Sequence, residues 1–169
     1  MKRLASVTAV AGLVLTGAVI TAPSASADER LCRGALGKIT VDGDIRVPAG
    51  AFCQLGGTTV KGNVIVGGGS TLRAYAAKID GNLKSWNHKL VYAQGNFVDG
   101  NIQLQRGGNM NVKQNTVNGD IQLFSNKSGH KFVNWNRVDG NLQCKSNAPI
   151  LQGSGNIVQG NKEDQCRRF

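Results

Sequence analysis

Residues 98–104 read VDGNIQL, and the pattern in this stretch recurs along the chain. Each copy has an aliphatic residue, a variable residue, glycine, and asparagine or aspartate, usually followed by a second aliphatic residue. The repeat glycines are spaced by 19 to 21 residues, at Gly43, Gly62, Gly81, Gly100, Gly119, Gly140 and Gly160. Such a regular period indicates a solenoid in which each copy forms one rung, or circuit, of the chain.

The residues around each repeat glycine favour β-strands over helices. Val or Ile always lies two positions before the glycine, and aliphatic residues commonly recur two and four positions after it, as Ile102 and Leu104 do. A period of two places successive side chains on opposite faces of a strand. We therefore predict an all-β fold, a single-stranded parallel β-helix (β-solenoid) of about seven rungs of 19–21 residues, spanning residues 28–169. We expect it to be right-handed, because rungs of the left-handed type contain whole hexapeptides and 19 residues do not.

Stacked rungs would align polar side chains into columns. Asn or Asp follows every repeat glycine, and a second column contains Asn96, Asn115, Asn136 and Asn156. Stacked side-chain amides can hydrogen-bond from rung to rung. The repeat glycine itself is expected to have a positive φ, since Gly and Asn together favour that kind of turn.

The four cysteines allow three disulfide pairings, and the repeat selects one of them. Cys32 and Cys53 occupy nearly the same place on adjacent rungs at one end, and Cys144 and Cys166 do so at the other. We predict the bonds Cys32–Cys53 and Cys144–Cys166, one at each end of the solenoid. No Cys-x-x-Cys or Cys-His spacing indicates a metal site instead.

The two ends of the solenoid are expected to be protected from pairing with other molecules. The last repeat has Lys162 and Asp164 where earlier repeats have inward-facing residues. Residues 28–38, held by Cys32, are expected to cover the N-terminal edge.

Residues 1–27 predict a secretory signal peptide. Lys2 and Arg3 form a positive start, residues 4–21 are apolar, and residues 25–27 read ASA, a small-residue cleavage site. No apolar run beyond residue 27 is long enough to cross a bilayer, so no stable membrane anchor is expected. Because Lys2 and Arg3 would be removed, the net charge would fall from +10 to +8.

A basic exported protein is attracted to anionic polymers such as teichoic acids, acidic glycans or nucleic acid. The basic residues are scattered and not clustered into a run, so no specific nucleic-acid partner is expected. The positive charge is equally consistent with a role in solubility alone.

Catalytic residues are not predicted. Polysaccharide lyases and hydrolases of solenoid shape need clustered carboxylates, whereas Asp80, Asp99 and most others flank a repeat glycine at a turn position. His88 and His130 are two rungs apart, and no nucleophile, phosphate-binding or dinucleotide motif is present, so no cofactor is expected. A groove that joined Asp80, Asp99 and His88 would favour an enzyme.

One outward face has the composition of a glycan-binding surface. Residues three and five positions after the repeat glycine should point outward, and this places Trp86 and Phe124 two rungs apart. The polar residues expected around them are Lys84, Gln103, Gln105 and Gln122. Sugar rings stack on aromatic planes and sugar hydroxyls pair with amides. The alternative is that both aromatic side chains lie under a loop or fill an irregular corner.

The repeated Val-x-Gly-Asn/Asp segments, with VPAGAFC at residues 47–53 and GNKEDQC at residues 160–166, resemble small secreted proteins of actinobacterial type whose function is uncharacterised. The likeness covers residues 32–166. More distantly, the pattern resembles that of bactofilins, β-helical proteins that polymerise end to end. This second resemblance implies a fold only, since bactofilins have neither this leader nor these cysteines.

The sequence thus predicts a secreted, non-catalytic structural or binding protein that associates with cell-wall or extracellular polysaccharide or anionic polymer. Two alternatives remain open: a polysaccharide lyase or hydrolase of the β-helix type, and a self-assembling surface protein. The sequence does not predict the ligand or the oligomeric state.

Overall fold

A computed structural model describes residues 29–169, which form a parallel β-solenoid of about seven rungs with no helix in the described range. The predicted fold class is confirmed, whereas the right-handed coil remains a prediction. The predicted signal peptide, residues 1–27, lies outside the described residues. Each rung contributes one strand to each of three parallel sheets, so a rung has three sides.

The strands follow one another in a fixed cycle around the three sheets. The first sheet contains β1 (Arg30–Leu31), β4 (Ile45–Val47), β7 (Val64–Val66), β10 (Leu83–Trp86), β13 (Ile102–Gln105), β16 (Ile121–Phe124), β19 (Leu142–Lys145) and β22 (Lys162–Asp164). The second contains β2 (Ala35–Leu36), β5 (Phe52–Gly56), β8 (Thr71–Tyr75), β11 (Leu90–Gln94), β14 (Asn109–Lys113), β17 (Lys131–Asn134) and β20 (Gln152–Ser154). The third contains β3 (Thr40–Val41), β6 (Thr59–Val60), β9 (Lys78–Ile79), β12 (Phe97–Val98), β15 (Thr116–Val117), β18 (Arg137–Val138) and β21 (Ile157–Val158).

Inward-facing aliphatic side chains fill the interior of the solenoid. Burial alternates along the strands, so that in β13 Ile102 and Leu104 are fully buried and the intervening Gln103 is partly exposed. No aromatic residue of the described range belongs to the set of fully buried core side chains. Each buried Leu or Ile contributes about 1.5–3 kcal/mol by leaving water, and strand pairing between rungs satisfies the backbone around this narrow core.

Columns of side-chain amides run along the corners between sheets. At the corner before the first sheet, the backbone N–H and the Nδ2 of Asn82 both donate to Asn63 Oδ1, at 3.0 and 2.9 Å. At the corner between the second and third sheets, Asn115 Nδ2 donates to Ala93 O and Asn136 Oδ1, each at 3.0 Å. Both columns agree with the sequence prediction.

A third amide column, which we did not predict, lies at the corner between the first and second sheets. Asn126 Nδ2 donates to Leu104 O and to Asn147 Oδ1, both at 2.9 Å, and Asn147 Nδ2 donates to Gln165 Oε1 at 3.0 Å. Asn126 and Asn147 are buried. These bonds occupy polar groups that would otherwise be buried without partners, a situation that costs about 1–3 kcal/mol for each group.

The predicted reason for the repeat glycines is wrong. From Gly62 to Gly160 none of them has a φ in the left-handed region. Glycine is needed there because successive rungs approach closely: a Cβ at Gly81 would lie 2.7 Å from Gly62 O. Positive φ values occur instead at other corners, for example at Gly57 and Gly95.

Both predicted disulfides are present, Cys32–Cys53 with a Cα–Cα distance of 5.5 Å and Cys144–Cys166 with 5.3 Å. Each joins adjacent rungs and closes a loop of just over 20 residues. In the chain-entropy description such a loop contributes roughly 3 kcal/mol to stability.

The two ends are finished differently. At the C-terminal end Lys162 Nζ donates to Asn156 O at 2.8 Å, and Phe169 packs against the core, where it covers Gly153. At the N-terminal end β1 and β2 pair with β4 and β5, as expected for residues that cover that edge. Leu31 nevertheless remains 58% exposed there.

Variation in rung length is confined to the corner between the first and second sheets. Phe124 pairs with Gln105, 19 residues earlier, whereas Lys131 pairs with Met110, 21 residues earlier. The two extra residues therefore lie between β16 and β17. Lys131 Nζ holds this longer corner by donating to the carbonyls of Ser128, Gly129 and Ala148, each at 2.9 Å.

Candidate binding groove on the first sheet

The six residues of the predicted glycan-binding face all lie on the outer side of the first sheet. Lys84, Gln103 and Gln122 are successive partners in one column across β10, β13 and β16. The adjacent column contains Trp86, Gln105 and Phe124, again as successive partners. Their outward direction follows from alternation, because Ser85, Leu104 and Leu123 between them point inward and are buried.

Four of the six residues line one open groove with a volume of about 530 Å³: Lys84, Trp86, Gln103 and Gln105. Gly67 and Gly68 contribute the neighbouring wall. Gly67 cannot be replaced by a larger residue without movement, because a Cβ there would lie 2.9 Å from Val47 O. The absence of side chains at this corner leaves space beside the indole of Trp86, which is 53% exposed. Gln122 and Phe124 lie outside the groove.

The indole of Trp86 is held by a contact that the sequence did not indicate. The guanidinium carbon of Arg106, from the next rung, lies 4.5 Å from the centre of the ring. This cation–π contact contributes about 0.5–1 kcal/mol at an exposed site. It restrains the ring of Trp86 beside the groove, so less conformational freedom would be lost on binding a ligand.

The glutamines of this face form a row of their own. Gln103 Nε2 donates to Gln122 Oε1 at 2.9 Å, Gln122 Nε2 donates to Gln143 Oε1 at 2.9 Å, and Gln143 Nε2 donates to Glu163 Oε2 at 2.9 Å. Each amide nitrogen carries two hydrogens, and one suffices for this chain of bonds. Gln122 Nε2 also donates to Asp120 Oδ2 at 3.5 Å, so donor capacity for sugar hydroxyls remains at Gln103 and Gln143.

A serine and a histidine meet beneath the groove. Ser85 Oγ lies 3.0 Å from His88 Nδ1, and both residues are buried, at 6% and 2% exposure. Burial, with a smaller effect from the Lys131 ammonium, lowers the pKa of His88 from 6.5 to about 4. In the described part of the chain His88 Nε2 has no hydrogen-bond partner, so the third group that would orient a catalytic base from the side opposite the serine is lacking there. Ser85 occupies an inward position that is aliphatic in most rungs, and we interpret the pair as part of the core.

The carboxylates considered for catalysis are dispersed. Asp80 lies 3.3 Å from Lys78 Nζ and 3.4 Å from Lys61 Nζ, whereas Asp99 accepts a hydrogen bond of 2.7 Å from Asn118 Nδ2. Both lie at the corner before the first sheet, while His88 is buried at the corner after it. Although desolvation raises it, the two ammonium groups hold the pKa of Asp80 below its usual value. Within residues 29–169 no three His, Cys, Asp or Glu side chains are grouped closely enough to hold a metal ion.

The part of the chain that the structure describes contains no helix with the length and apolarity needed to cross a membrane. Searches of protein families, curated proteins and solved structures find no match for this chain.

Proposed function

We propose that this is an exported, non-catalytic protein that binds cell-wall or extracellular polysaccharide through the groove beside Trp86. The observation that carries the proposal is a half-exposed indole, restrained by Arg106, that borders an open groove of about 530 Å³. An exposed aromatic ring next to ordered polar groups is typical of binding surfaces.

The chemistry of the groove suits a sugar chain. The apolar face of a pyranose ring packs against an indole, whose buried area dominates such contacts. Gln103 and Gln105 supply amide donors and acceptors to hydroxyl groups, and Lys84 and Arg46 add cations at the rim. Of these two cations, Lys84 would also accommodate an anionic substituent on the polymer, whereas Arg46 already forms an ion pair with Glu29 at 2.6 Å.

Export is supported by the cysteines and by the leader sequence. Two disulfides join all four cysteines, which indicates an oxidising compartment. The basic start, apolar stretch and ASA site of residues 1–27 have the order of a secretory signal. Membership of the small secreted proteins of actinobacterial type is part of the same proposal.

The test is a sedimentation assay with insoluble cell wall, before and after removal of its anionic polymers, and with neutral insoluble polysaccharides, over a range of salt concentrations. We expect binding that persists at high salt and is weakened at least fivefold by Trp86→Ala, because stacking of this kind contributes about 1 kcal/mol. Phe97→Ala removes an exposed ring from the third sheet and serves as the matched control.

Four results would contradict the proposal. Binding that disappears with salt would reflect charge alone. Equal losses of binding in the Trp86 and Phe97 variants would show that the groove is not the binding site. Release of shortened products from the polymer would favour the lyase or hydrolase alternative, and concentration-dependent growth in light scattering without polymer would favour self-assembly.

A further inference from the structure

The outer face of the second sheet carries a larger aromatic cluster than the groove does. We call this surface the second-sheet face, and it comprises the outward residues of β8, β11, β14 and β17. Its aromatic and charged side chains are Arg73, Tyr75, Tyr92, Lys113 and Phe132, together with His130 directly before β17. Between them Leu72, Ala74, Val91, Ala93 and Val112 point inward and are buried, which fixes the outward direction of this set.

Two aromatic rings of this face, those of Tyr92 and Phe132, lie in one column along the solenoid axis, two rungs apart. The rings of Tyr75 and Tyr92, on adjacent rungs, have centres 5.3 Å apart and planes inclined by 44°. The rings of His130 and Phe132, two residues apart on the same rung, are 6.4 Å apart and nearly parallel, at 14°. Neighbouring strands are separated by ~4.8 Å, which is close to the length of one hexose in an extended polysaccharide. In a polysaccharide lying along the axis, each sugar would therefore face about one rung of the solenoid.

The charges of the solenoid are segregated, and this face has only positive ones. Every Asp and Glu in residues 29–169 lies at the corner between the third and first sheets or on β22 of the first sheet. The second sheet is the one side of a rung that does not adjoin that corner. It carries Arg73 opposite Tyr92, and Lys113, whose Nζ lies 5.7 Å from the Tyr92 ring centre. An anionic partner would meet attraction here without opposing carboxylates.

The face also has recesses and an acceptor without a partner. A cavity of about 180 Å³ lies between Tyr92 and Phe132, and Asn111 lines it. Asn111 Oδ1 is buried and accepts no hydrogen bond from the residues described. A second depression of about 430 Å³ is bordered by Tyr75, Gln94 and Gln114. A buried acceptor that is left unpaired costs about 1–3 kcal/mol.

We infer that the second-sheet face binds a linear acidic polysaccharide that lies along the solenoid axis. Rings stack against sugars, amides pair with hydroxyls, and Arg73 and Lys113 pair with carboxylates. Two cations beside several rings and amides suit a chain with more hydroxyls than charges, which is a polysaccharide and not a nucleic acid. This site is separate from the groove beside Trp86, and the inference does not depend on the function proposed for that groove.

The experiment is isothermal titration calorimetry of the purified protein with hyaluronan oligosaccharides, in which every second sugar carries a carboxylate. We expect carboxyl-reduced hyaluronan, its uncharged counterpart, to bind at least tenfold more weakly. Tyr75→Ala/Tyr92→Ala should weaken binding of both forms at least tenfold. Arg73→Gln/Lys113→Gln should abolish the preference for the acidic form and leave binding of the reduced form unchanged.

Control variants separate this site from the rest of the molecule. Phe97→Ala/Arg137→Gln, which removes an exposed ring and a cation from the third sheet, should bind hyaluronan as the parent does. In a Trp86→Ala background, the tyrosine and charge substitutions should change hyaluronan binding by the same factors as in the parent, so failure of the groove and failure of this site give different results. Because the two charge substitutions are at the surface, they test the inference even if the tyrosine variant is unstable.

Several outcomes would overturn the inference. Parent-like hyaluronan binding by both the tyrosine and the charge variants would exclude the second-sheet face. Equal affinity for polyglutamate, which has carboxylates and no sugar, would show attraction to charge alone. Tighter binding of a thymidine oligonucleotide would identify a nucleic-acid surface instead.

Discussion

The C-terminal and N-terminal halves of the solenoid satisfy their corners in different ways. From Asn96 onward, buried asparagines stack at the corner between the second and third sheets, whereas the earlier rungs have Thr58 and Ala77 at the same place. The corner between the first and second sheets changes likewise, from Asn126 in a later rung to His88 in an earlier one.

The candidate groove lies on the side with the less regular corners. Its lining extends from Arg46 to Gln105, and His88 and Ser85 lie beneath it. Where the amide columns are continuous, successive rungs have similar corners. Where the columns are interrupted, the corners contain glycine or side chains of different sizes. The groove beside Trp86 thus coincides with the rungs that interrupt the asparagine columns, whereas the second-sheet face extends across both halves.

The largest effect should come from breaking the asparagine column of the C-terminal half. Asn115→Ala removes bonds to Asn96, Asn136 and Ala93 O and leaves a buried backbone N–H of Asn96 without its acceptor. We expect a loss of about 4 kcal/mol in the free energy of unfolding, from several unpaired groups at 1–3 kcal/mol each. Urea unfolding measures it. Asn118→Ala, at an exposed position in the same rung, should cost at most about 0.5 kcal/mol, and similar losses in both variants would refute the role of the column.

The next effect concerns His88 in the N-terminal half and depends on pH. Burial lowers its pKa to about 4 in the folded protein from the 6.5 of an unperturbed histidine, so the unfolded chain binds the proton more readily between these values. Stability is therefore complete above pH 6.5 and falls as the pH is lowered toward 4, by about 3 kcal/mol in total.

Urea unfolding at pH 7, 5.5 and 4 tests this expectation. His88→Asn introduces the residue that occupies the equivalent position, Asn126, two rungs later. This variant should lose the part of the pH dependence that comes from His88, whereas His130→Gln, at an exposed position, should retain it. An identical acid response in the His88 variant and the parent would contradict the assignment.

The smallest effect should come from extending the asparagine column between the second and third sheets into the N-terminal half. Ala77 is buried and its backbone N–H already donates to Asn96 Oδ1 at 2.9 Å. In Ala77→Asn the new amide should also donate to Asn96 Oδ1 and stabilise the protein by about 1 kcal/mol, the net value of a typical hydrogen bond. Thermal unfolding measures the gain. Ala77→Leu supplies bulk without hydrogen bonds, so an equal gain there, or a loss in the asparagine variant, would show that the halves differ for another reason.

The sequence was sufficient for the features that depend on period alone. Strand positions, the Asn96 column and both disulfide pairings follow from residues separated by one rung, because parallel stacking in register makes sequence period and spatial neighbourhood the same thing. The stacking of Arg106 on Trp86 could not be predicted in this way, since it joins residues in different positions of the repeat and depends on how a corner is bent.

The second-sheet face was missed for a related reason. Tyr92 and Phe132 share a column, but they are separated by one rung of 19 residues and one of 21. Their alignment is visible only when the two extra residues are assigned to the corner between β16 and β17 and not to another corner. The positions of the repeat glycines were predicted correctly, but the physical reason given for them was wrong. A close approach between rungs and a positive φ both select glycine, so the sequence alone does not distinguish them.

The longer corner between β16 and β17 bears on how such a protein could evolve. The residues added before Lys131 alter neither the pairing of the strands on either side nor the burial of the core. Lengthening a surface loop is inexpensive, with each doubling costing only about 0.6 kcal/mol in closure entropy. Foreign peptide segments grafted there should be displayed without loss of the fold, so natural variants could acquire new specificities at this position while the rest of the solenoid is inherited intact.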